Sequence, residues 1–256
     1  MNTQTTYEFP LNERIRVFMR LEQLFHQLTH FMAGASVYDK RAAIGVLLDI
    51  LLIFSRSDLK SELIKELDRH TKILSQLMNG QGVDSHLLNE TLTELNQASK
   101  NLYSTNGKIG IRVMESDLFQ SISQRNSIPG GSCSFDLPAF HFWLEQDQTE
   151  QQKDLERWTQ PFSVIRVAID LVLSLIRKSN LPMQKVAEAG FFQLSLDKSH
   201  PAQLLRVSIA ANLPCFAEIS GGKHRFTIRF MKPSCDENRP YQINEDVPFL
   251  LTCCIF

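Results

Sequence analysis

The spacing of apolar residues changes along the chain, and this change limits the folds that are open to it. Over the first hundred residues, apolar side chains recur at steps of three and four, which is the spacing of one helix face. From Leu181 onward they fall in short runs separated by Pro, Gly, Asn and Asp, the pattern of β-strands. Helices followed by strands indicate an α+β chain or two separate domains.

Five helices are predicted in the N-terminal half. The second, at about residues 39–56, is apolar nearly all round, so we expect it to lie centrally among the others. Ser57 or Asp58 can cap the third helix, which should end near residues 79–82, and Asp84 can open the fourth. A fifth is expected at residues 110–125. The first helix carries one apolar stripe, formed by Leu11, Ile15, Phe18, Leu21, Phe25, Leu28 and Met32.

The helical pattern breaks at SIPGGSCSFDLP, residues 127–138, because two prolines and adjacent glycines disfavour a continuous helix. One more helix is predicted at residues 155–179. Its broad apolar face resembles those of the earlier helices, so we expect it to pack with them. The predicted domains are an α-helical domain of residues 1–115 with 155–180, and a β domain of residues 116–154 with 181–256.

Composition and charge indicate a soluble globular protein of 256 residues with 43% hydrophobic and 21% charged content. Its 27 basic and 28 acidic residues give a net charge of −1, which offers no general attraction to nucleic acid or membranes. The five cysteines show no CxxC spacing, which favours a reducing compartment over a disulfide framework. The N-terminus lacks a signal-peptide pattern. We therefore expect a cytoplasmic protein.

No enzyme signature is found in the sequence. Cys133 and His141 could form a nucleophile and base, but no orienting acid is evident apart from Asp136, and a tight turn beside a buried thiol is favoured. His26 and His30 share a helix face without a third metal ligand. We expect no catalysis, no cofactor and no metal.

The last four residues, Cys253 to Phe256, formally fit a prenylation box. A terminal β-strand is favoured instead, because the apolar pattern continues from Phe249. The residues before that strand include Glu245 and Asp246 rather than a polybasic run.

The segment GGKHRFTIRFMKP, residues 221–233, predicts a strand with one apolar and one basic face. Lys223, Arg225 and Arg229 share the basic face, and Arg206 would join them if its own strand paired with this one as a hairpin. An ordinary solvated sheet face is one interpretation. A carboxylate-binding face is another, since arginine suits bidentate carboxylate recognition. A third, nucleic-acid binding, is disfavoured by the neutral total charge and the few aromatic residues on this face.

Four blocks of sequence, distributed over nearly the whole chain, read in chain order PLNERIRVFMRLEQL, ELIKELDRH, SIPGGSCSFDLPAFHFWL and ISGGKHRFTIRFM. These blocks resemble the ZapD (YacF) family of bacterial cell-division proteins. The resemblance implies an N-terminal α-helical domain plus a C-terminal antiparallel β-sandwich domain. It also implies a homodimer without catalysis that binds the C-terminal tail of FtsZ and bundles FtsZ filaments at the division ring.

The same resemblance assigns the tail-binding surface to particular residues. It places Arg225, Arg229, Lys223 and His141 there, and Arg56 and Arg20 match family arginines on the helical domain. This sequence departs from the family pattern near Asp117, where an additional basic residue is expected but VMESDLF is acidic, and it extends past the terminal cysteine pair by Ile255 and Phe256.

The predicted function is therefore a cytoplasmic FtsZ-binding and filament-bundling factor that acts at mid-cell. FtsZ and a second copy of the chain are its expected partners, with no nucleic acid and no membrane. The alternative is a nucleic-acid-binding protein that uses the basic strand face.

Overall fold

The structure is a computed structural model, and the residues that it describes are 3–56, 58–78, 84–105, 107, 109–197, 199, 201–222, 224–234 and 239–256. The chain divides into two compact units. The sheet unit comprises Met1–Phe18 and Leu173–Phe256, and the helical unit comprises Met19–Val172. Helices dominate the N-terminal part and antiparallel strands the C-terminal part, so the predicted α+β class is confirmed.

The helices account for most of the described chain before residue 180. Their bounds are α1 (Glu13–Ala33), α2 (Val37–Arg56), α3 (Leu59–Leu77), α4 (Ser85–Ser104), α5 (Ile111–Met114), α6 (Asp117–Arg125), α7 (Pro138–Leu144), α8 (Gln148–Thr159) and α9 (Ser163–Lys178), with a 3-10 turn at Gln160–Phe162. The division between the two units falls within α1 and within α9.

Two predicted helix starts are confirmed by their capping hydrogen bonds. The Asp58 carboxylate accepts a bond of 3.3 Å from the backbone N–H of Ser61 at the start of α3. At the start of α4, the Asp84 carboxylate accepts hydrogen bonds from the backbone N–H groups of His86 and Leu87, at 3.0 and 3.2 Å. These side chains satisfy backbone N–H groups that have no partner within the helix. The predicted stop at residues 79–82 and the alternative cap Ser57 lie outside the described residues.

Most of residues 116–154 is helical or turn, whereas we expected this stretch in the β domain. It contains α6, α7 and the first half of α8, and it belongs to the helical unit. Pro138 stands in the first turn of α7, where its missing N–H leaves no bond unmade. Phe140 and Trp143 are buried, and the Trp143 ring lies 5.4 Å from that of Trp158. Aromatic packing at helical spacing therefore builds a region whose prolines and glycines had indicated loops and strands.

The strands form two antiparallel sheets in the sheet unit. Their bounds are β1 (Gln4–Pro10), β2 (Met183–Ala187), β3 (Phe191–Ser195), β4 (Leu204–Ala210), β5 (Phe216–Gly221), β6 (Arg225–Lys232), β7 (Tyr241–Gln242) and β8 (Val247–Cys254). The first sheet has the order β1-β4-β8-β2. The second has the order β3-β6-β5, and β7 also pairs with β6.

Alternate residues of the two sheets share one hydrophobic core. Val207 and Leu251 from the first sheet belong to the same buried cluster as Phe226, Ile228 and Phe230 from the second. Because side chains alternate between the faces of a strand, each sheet has an inner face in this cluster and an outer face directed away from it. The sheet unit is therefore the predicted antiparallel β-sandwich.

The N-terminal strand β1 was missed by the sequence analysis, which assigned the first hundred residues to helices. It pairs antiparallel with β4 along its whole length, from Gln4 opposite Ala210 to Pro10 opposite Leu204. Its sequence, QTTYEFP, alternates at Tyr7 and Phe9, which pack against the core. A period of two over seven residues is a weak signal beside the long helical stripe that follows it.

The helix predicted at residues 155–179 occurs as the end of α8, the 3-10 turn and α9. The continuous stretch Gln148–Lys178 is long and apolar enough to cross a membrane by length and composition alone. In the structure, Ile165, Ile169 and Val172 on α9 are fully buried. A buried core helix passes the same test of composition, so this stretch is weak evidence for a membrane span.

The chain ends in the terminal strand that the sequence predicted. Strand β8 pairs with β4 up to Cys254, which is fully buried. Burial raises the pKa of the Cys254 thiol to about 11, so this thiol stays protonated and poorly reactive at neutral pH.

Candidate functional site

Strand β6 presents the two predicted arginines on the outer face of the second sheet. Its burial alternates residue by residue, with Arg225 and Arg229 exposed and Phe226, Ile228 and Phe230 buried. The Cα atoms of the two arginines are about 13 Å apart at roughly 3.3 Å per residue. Both arginines therefore project from a strand that the core holds in place. Lys223, the third predicted member, lies outside the described residues.

The strands beside β6 determine what surrounds each arginine. Arg229 lies between Glu218 on β5 and Phe191 on β3. Arg225 lies opposite Ser195 on β3. Glu218 is the single acid in the segment from residue 198 to 235, so the one negative charge of this segment lies directly across from Arg229. The face is therefore most positive at its Arg225 end.

Arg206 does not join this face, and the hairpin on which that prediction depended is wrong. Strand β4, which carries Arg206, pairs with β1 and β8 in the first sheet, whereas β6 pairs with β3, β5 and β7 in the second. The outer faces of a two-sheet sandwich point in opposite directions. Arg206 is therefore on the far side of the sandwich from Arg225 and Arg229.

The Arg206 guanidinium instead forms part of an ion cluster with Glu8 and Arg177. The Nε atom of Arg206 donates to Oε1 of Glu8 at 2.9 Å, and Arg177 at the end of α9 donates to both Glu8 oxygens at 2.9 to 3.2 Å. The Glu8 side chain is only 19% exposed. Such charge-assisted bonds connect β1, β4 and α9, so Arg206 has a structural role.

The remaining candidates belong to the helical unit. His141 is exposed on α7, with its Nδ1 atom 3.9 Å from a carboxylate oxygen of Glu145. Arg56 is the last residue of α2, and Arg20 lies on α1; both are exposed. Asp117, near which the resemblance had implied a basic residue, stands in the first turn of α6, where a carboxylate is favourable next to the helix N-terminus.

These helical candidates are not one compact cluster. Helix α7 contacts the start of α2, where the Arg41 guanidinium lies 5.3 Å from the centre of the Phe140 ring. Fifteen residues of helix, about 22 Å at 1.5 Å per residue, separate Arg41 from Arg56. His141 is therefore near one end of α2 and Arg56 at the other. No sequence pattern had singled out Arg41, which is also bonded to the backbone and hydroxyl oxygens of Ser132 at 3.0 Å.

The nucleophile pair considered for Cys133 and His141 gains no support from its surroundings. Cys133 is exposed rather than the buried thiol that we expected, in a series of tight turns. The Asp136 carboxylate, the acid nearest in sequence, is paired with Arg125 at 2.9 Å. Within the described part of the chain, no group of three or more His, Cys, Asp or Glu side chains could hold a metal ion.

Comparison with known proteins finds a matching family model and relatives that align over nearly the whole chain. Residues 19–229 match the family ZapD, described as a cell division protein. A cell division protein ZapD from Methylococcus capsulatus is 48% identical over 255 residues, covering 100% of both chains. The ZapD proteins of an Azoarcus species and of Nitrosomonas eutropha are 40% and 39% identical, and each alignment covers 97% of this chain and 98% of the relative.

Proposed function

Because the chain belongs to the ZapD family of cell division proteins, we propose that it is a non-enzymatic division factor that binds the C-terminal tail of FtsZ. The observation that carries this proposal is the pair of exposed arginines, Arg225 and Arg229, on one face of β6. Their strand is anchored by three buried side chains, so the two guanidinium groups are presented from a rigid base. A rigid base reduces the entropy lost when a flexible ligand binds.

The spacing of the arginines defines the ligand that this face would take. A separation of about 13 Å exceeds the reach of one carboxylate but equals four residues of an extended peptide. An acidic segment lying along β6 could therefore place one carboxylate or the chain terminus against each guanidinium. A disordered tail loses conformational entropy on binding, so we expect an affinity for each site in the micromolar range, ~8 kcal/mol.

A bundling activity needs more than one tail site in each particle. We propose that the protein is a homodimer, because two copies of one site can hold two filaments and turn tail binding into cross-linking. Linking two weak sites also raises the overall avidity well above that of each site. Binding to FtsZ would place the protein in the cytoplasm at the mid-cell division site, without a cofactor.

The helical unit supplies additional cations to the proposal. Arg20, Arg56 and His141 are exposed on α1, α2 and α7, and the family resemblance names them as further candidates for contacts with the tail. Since Arg56 and His141 lie near opposite ends of α2, they would contact different parts of a tail or different ligands. Variants at these positions should therefore weaken binding less than loss of the β6 pair.

Co-sedimentation with FtsZ filaments tests the proposal directly. The protein should pellet with filaments of full-length FtsZ and bundle them, and should remain in the supernatant with filaments of FtsZ that lack the C-terminal tail. A parallel gel-shift with single-stranded DNA tests the alternative function. Equal pelleting with tail-less filaments, or a DNA shift at similar concentration, would contradict tail binding.

Sedimentation equilibrium tests the bundling step separately. A mass of about twice 29.3 kDa at micromolar concentration is expected. A monomer that binds the tail would leave the proposed recognition intact and remove the cross-linking mechanism.

A further inference from the structure

The outer face of the second sheet becomes apolar just beyond Arg229. Met231 follows two residues later on β6 and lies opposite Phe216 on β5, while Phe191 lies opposite Arg229 on β3. Phe191 is 41% exposed, and Phe216 and Met231 are half-buried. None of these three belongs to the hydrophobic core between the sheets, as far as the described residues show. We call Phe191, Phe216 and Met231 the apolar end of the face.

The strand register places this apolar end in line with the two arginines. Arg225, Arg229 and Met231 have the same parity on β6, so all three lie on the outer face. The step from Arg229 to Met231 is about 7 Å, and that from Arg225 to Arg229 about 13 Å. An extended peptide has nearly the same repeat, so one peptide along β6 can reach all three positions.

Charge on the face favours an acidic residue more strongly at one end of such a peptide than at the other. Around Arg225 the neighbouring strand offers Ser195, a neutral residue that does not offset the positive charge of the arginine. Glu218, an exposed residue, lies directly opposite Arg229 on the neighbouring strand β5. A second ligand carboxylate at that end would meet Glu218 as well as Arg229. Negative charge on the ligand is therefore most favourable near Arg225, and apolar surface is most favourable at the opposite end.

We propose that the apolar end is the second half of the tail-binding face, and that it receives an apolar side chain of the same tail segment whose acidic part contacts Arg225. This inference depends on the proposed binding of the FtsZ tail. The apolar residue anchors the peptide and sets its direction along β6, because aromatic and Met side chains give most energy when a partner side chain excludes water from them. The arginines then favour a negatively charged peptide, and the apolar end determines the position at which that peptide lies along β6.

The test measures binding of a fluorescein-labelled FtsZ C-terminal tail peptide by fluorescence anisotropy. The variant Phe191→Gln with Met231→Gln should bind about tenfold more weakly than the unmodified protein. The matched control is Met183→Gln with Val186→Gln, which changes two exposed apolar residues on the edge strand of the first sheet. The control should bind like the unmodified protein. Met231→Gln alone serves if the double variant unfolds on a thermal melt.

Serine substitutions in the peptide identify the anchored residue. Replacing the anchoring apolar residue should weaken binding to the unmodified protein about tenfold and change binding to the Phe191→Gln, Met231→Gln variant little. Unchanged binding by that variant would overturn the inference and leave tail binding standing. Loss of the dimer in sedimentation, with unchanged peptide affinity, would overturn it in favour of a second copy as occupant. If the unmodified protein does not bind the peptide, the proposed function fails, and the inference with it.

Discussion

The two outer faces of the β-sandwich carry similar residues and use them differently. Each has an arginine on an inner strand with a glutamate directly across the ladder: Arg206 opposite Glu8 in the first sheet, and Arg229 opposite Glu218 in the second. On the first face the pair is partly buried and hydrogen-bonded. On the second face both side chains are exposed, and these two described residues form no ion pair with each other.

The difference comes from a third element. On the first face, the last turn of α9 brings Arg177 onto Glu8, so the carboxylate holds two guanidinium groups at once. On the second face, the register places Glu218 and Phe191 beside Arg229. Opposite charges across a ladder contribute little when water can solvate both. A ladder position therefore does not by itself make an arginine structural, and on the second face Arg225 and Arg229 are exposed.

The largest effect expected from this contrast is on ligand binding. Arg225→Ala with Arg229→Ala should weaken binding of an FtsZ tail peptide by at least about 100-fold, because each charge-assisted contact contributes on the order of 1.5–3 kcal/mol. Folding and dimerisation should not change, since both side chains are exposed. Peptide titration by calorimetry measures the loss, and added salt should weaken the unmodified protein more than the variant.

Arg206→Ala is the matched control for that experiment. It also removes one arginine from an inner strand of the sandwich, but on the other outer face. It should leave the peptide affinity unchanged. Equal losses from the two faces would show that net charge, rather than the β6 face, determines binding.

The next effect is on the stability of the protein at acid pH, which limits the pH at which variants of the two faces can be compared. Burial, aided by the nearby charge of Arg69 and opposed by that of Glu66, lowers the pKa of His70 on α3 from 6.5 to about 4. The unfolded chain therefore takes up the proton first as pH falls. The contribution of neutral His70 to the free energy of unfolding should be fully present above pH 6.5. That free energy should then fall by about 3 kcal/mol as pH decreases toward 4.

Urea unfolding at several pH values measures this slope. His70→Leu should flatten the slope between pH 6.5 and 4, whatever its effect on stability at neutral pH. An unchanged slope in that variant would assign the pH dependence to other groups. The peptide affinities of variants on the two faces should accordingly be compared above pH 7.

A smaller effect is expected on the stability of the first face. Glu8→Ala leaves two partly buried arginines without the carboxylate that joins them, and should lower the free energy of unfolding by about 2 kcal/mol. Glu218→Ala, the corresponding change on the second face, should alter it by less than about 0.5 kcal/mol. Urea denaturation of both variants measures these changes. Equal losses in the free energy of unfolding would contradict the contrast between the two faces.

The smallest effect concerns Glu218 and ligand affinity. Glu218→Gln removes the negative charge across from Arg229 and should tighten binding of the acidic peptide about threefold at low salt. Glu188→Gln, another exposed acid of the sheet unit, should change affinity less. Weaker binding by Glu218→Gln would mean that the carboxylate orients Arg229 for the ligand rather than competing with it.

Local patterns in the sequence predicted much of the fold and one strand of the candidate site. The caps at Asp58 and Asp84 act on the next turn of their own helices, so they can be recognised without tertiary information. The alternation of Arg225, Arg229 and the buried residues between them likewise depends only on the geometry of a strand. Family resemblance named the candidate residues but did not indicate how they are grouped in space.

Pairing between distant segments could not be predicted in the same way. Strand β1 was hidden because seven alternating residues gain their stability from β4, about 200 residues later in the chain. The helices within residues 116–154 were hidden because buried aromatic packing outweighed Pro and Gly signals. Arg206 was misplaced because a run of alternating residues does not specify which strand lies beside it.

The sequence by itself determined which side chains each helix and strand presents on its two faces, because those faces follow from the repeat of the backbone. Only the tertiary structure decided which faces meet. It placed Arg206 beside Glu8 and Arg177, and it placed Arg229 beside Glu218 and Phe191. The charge that remains for a partner depends on those neighbours, which come from segments far apart in the chain, so it can be read only from the folded protein.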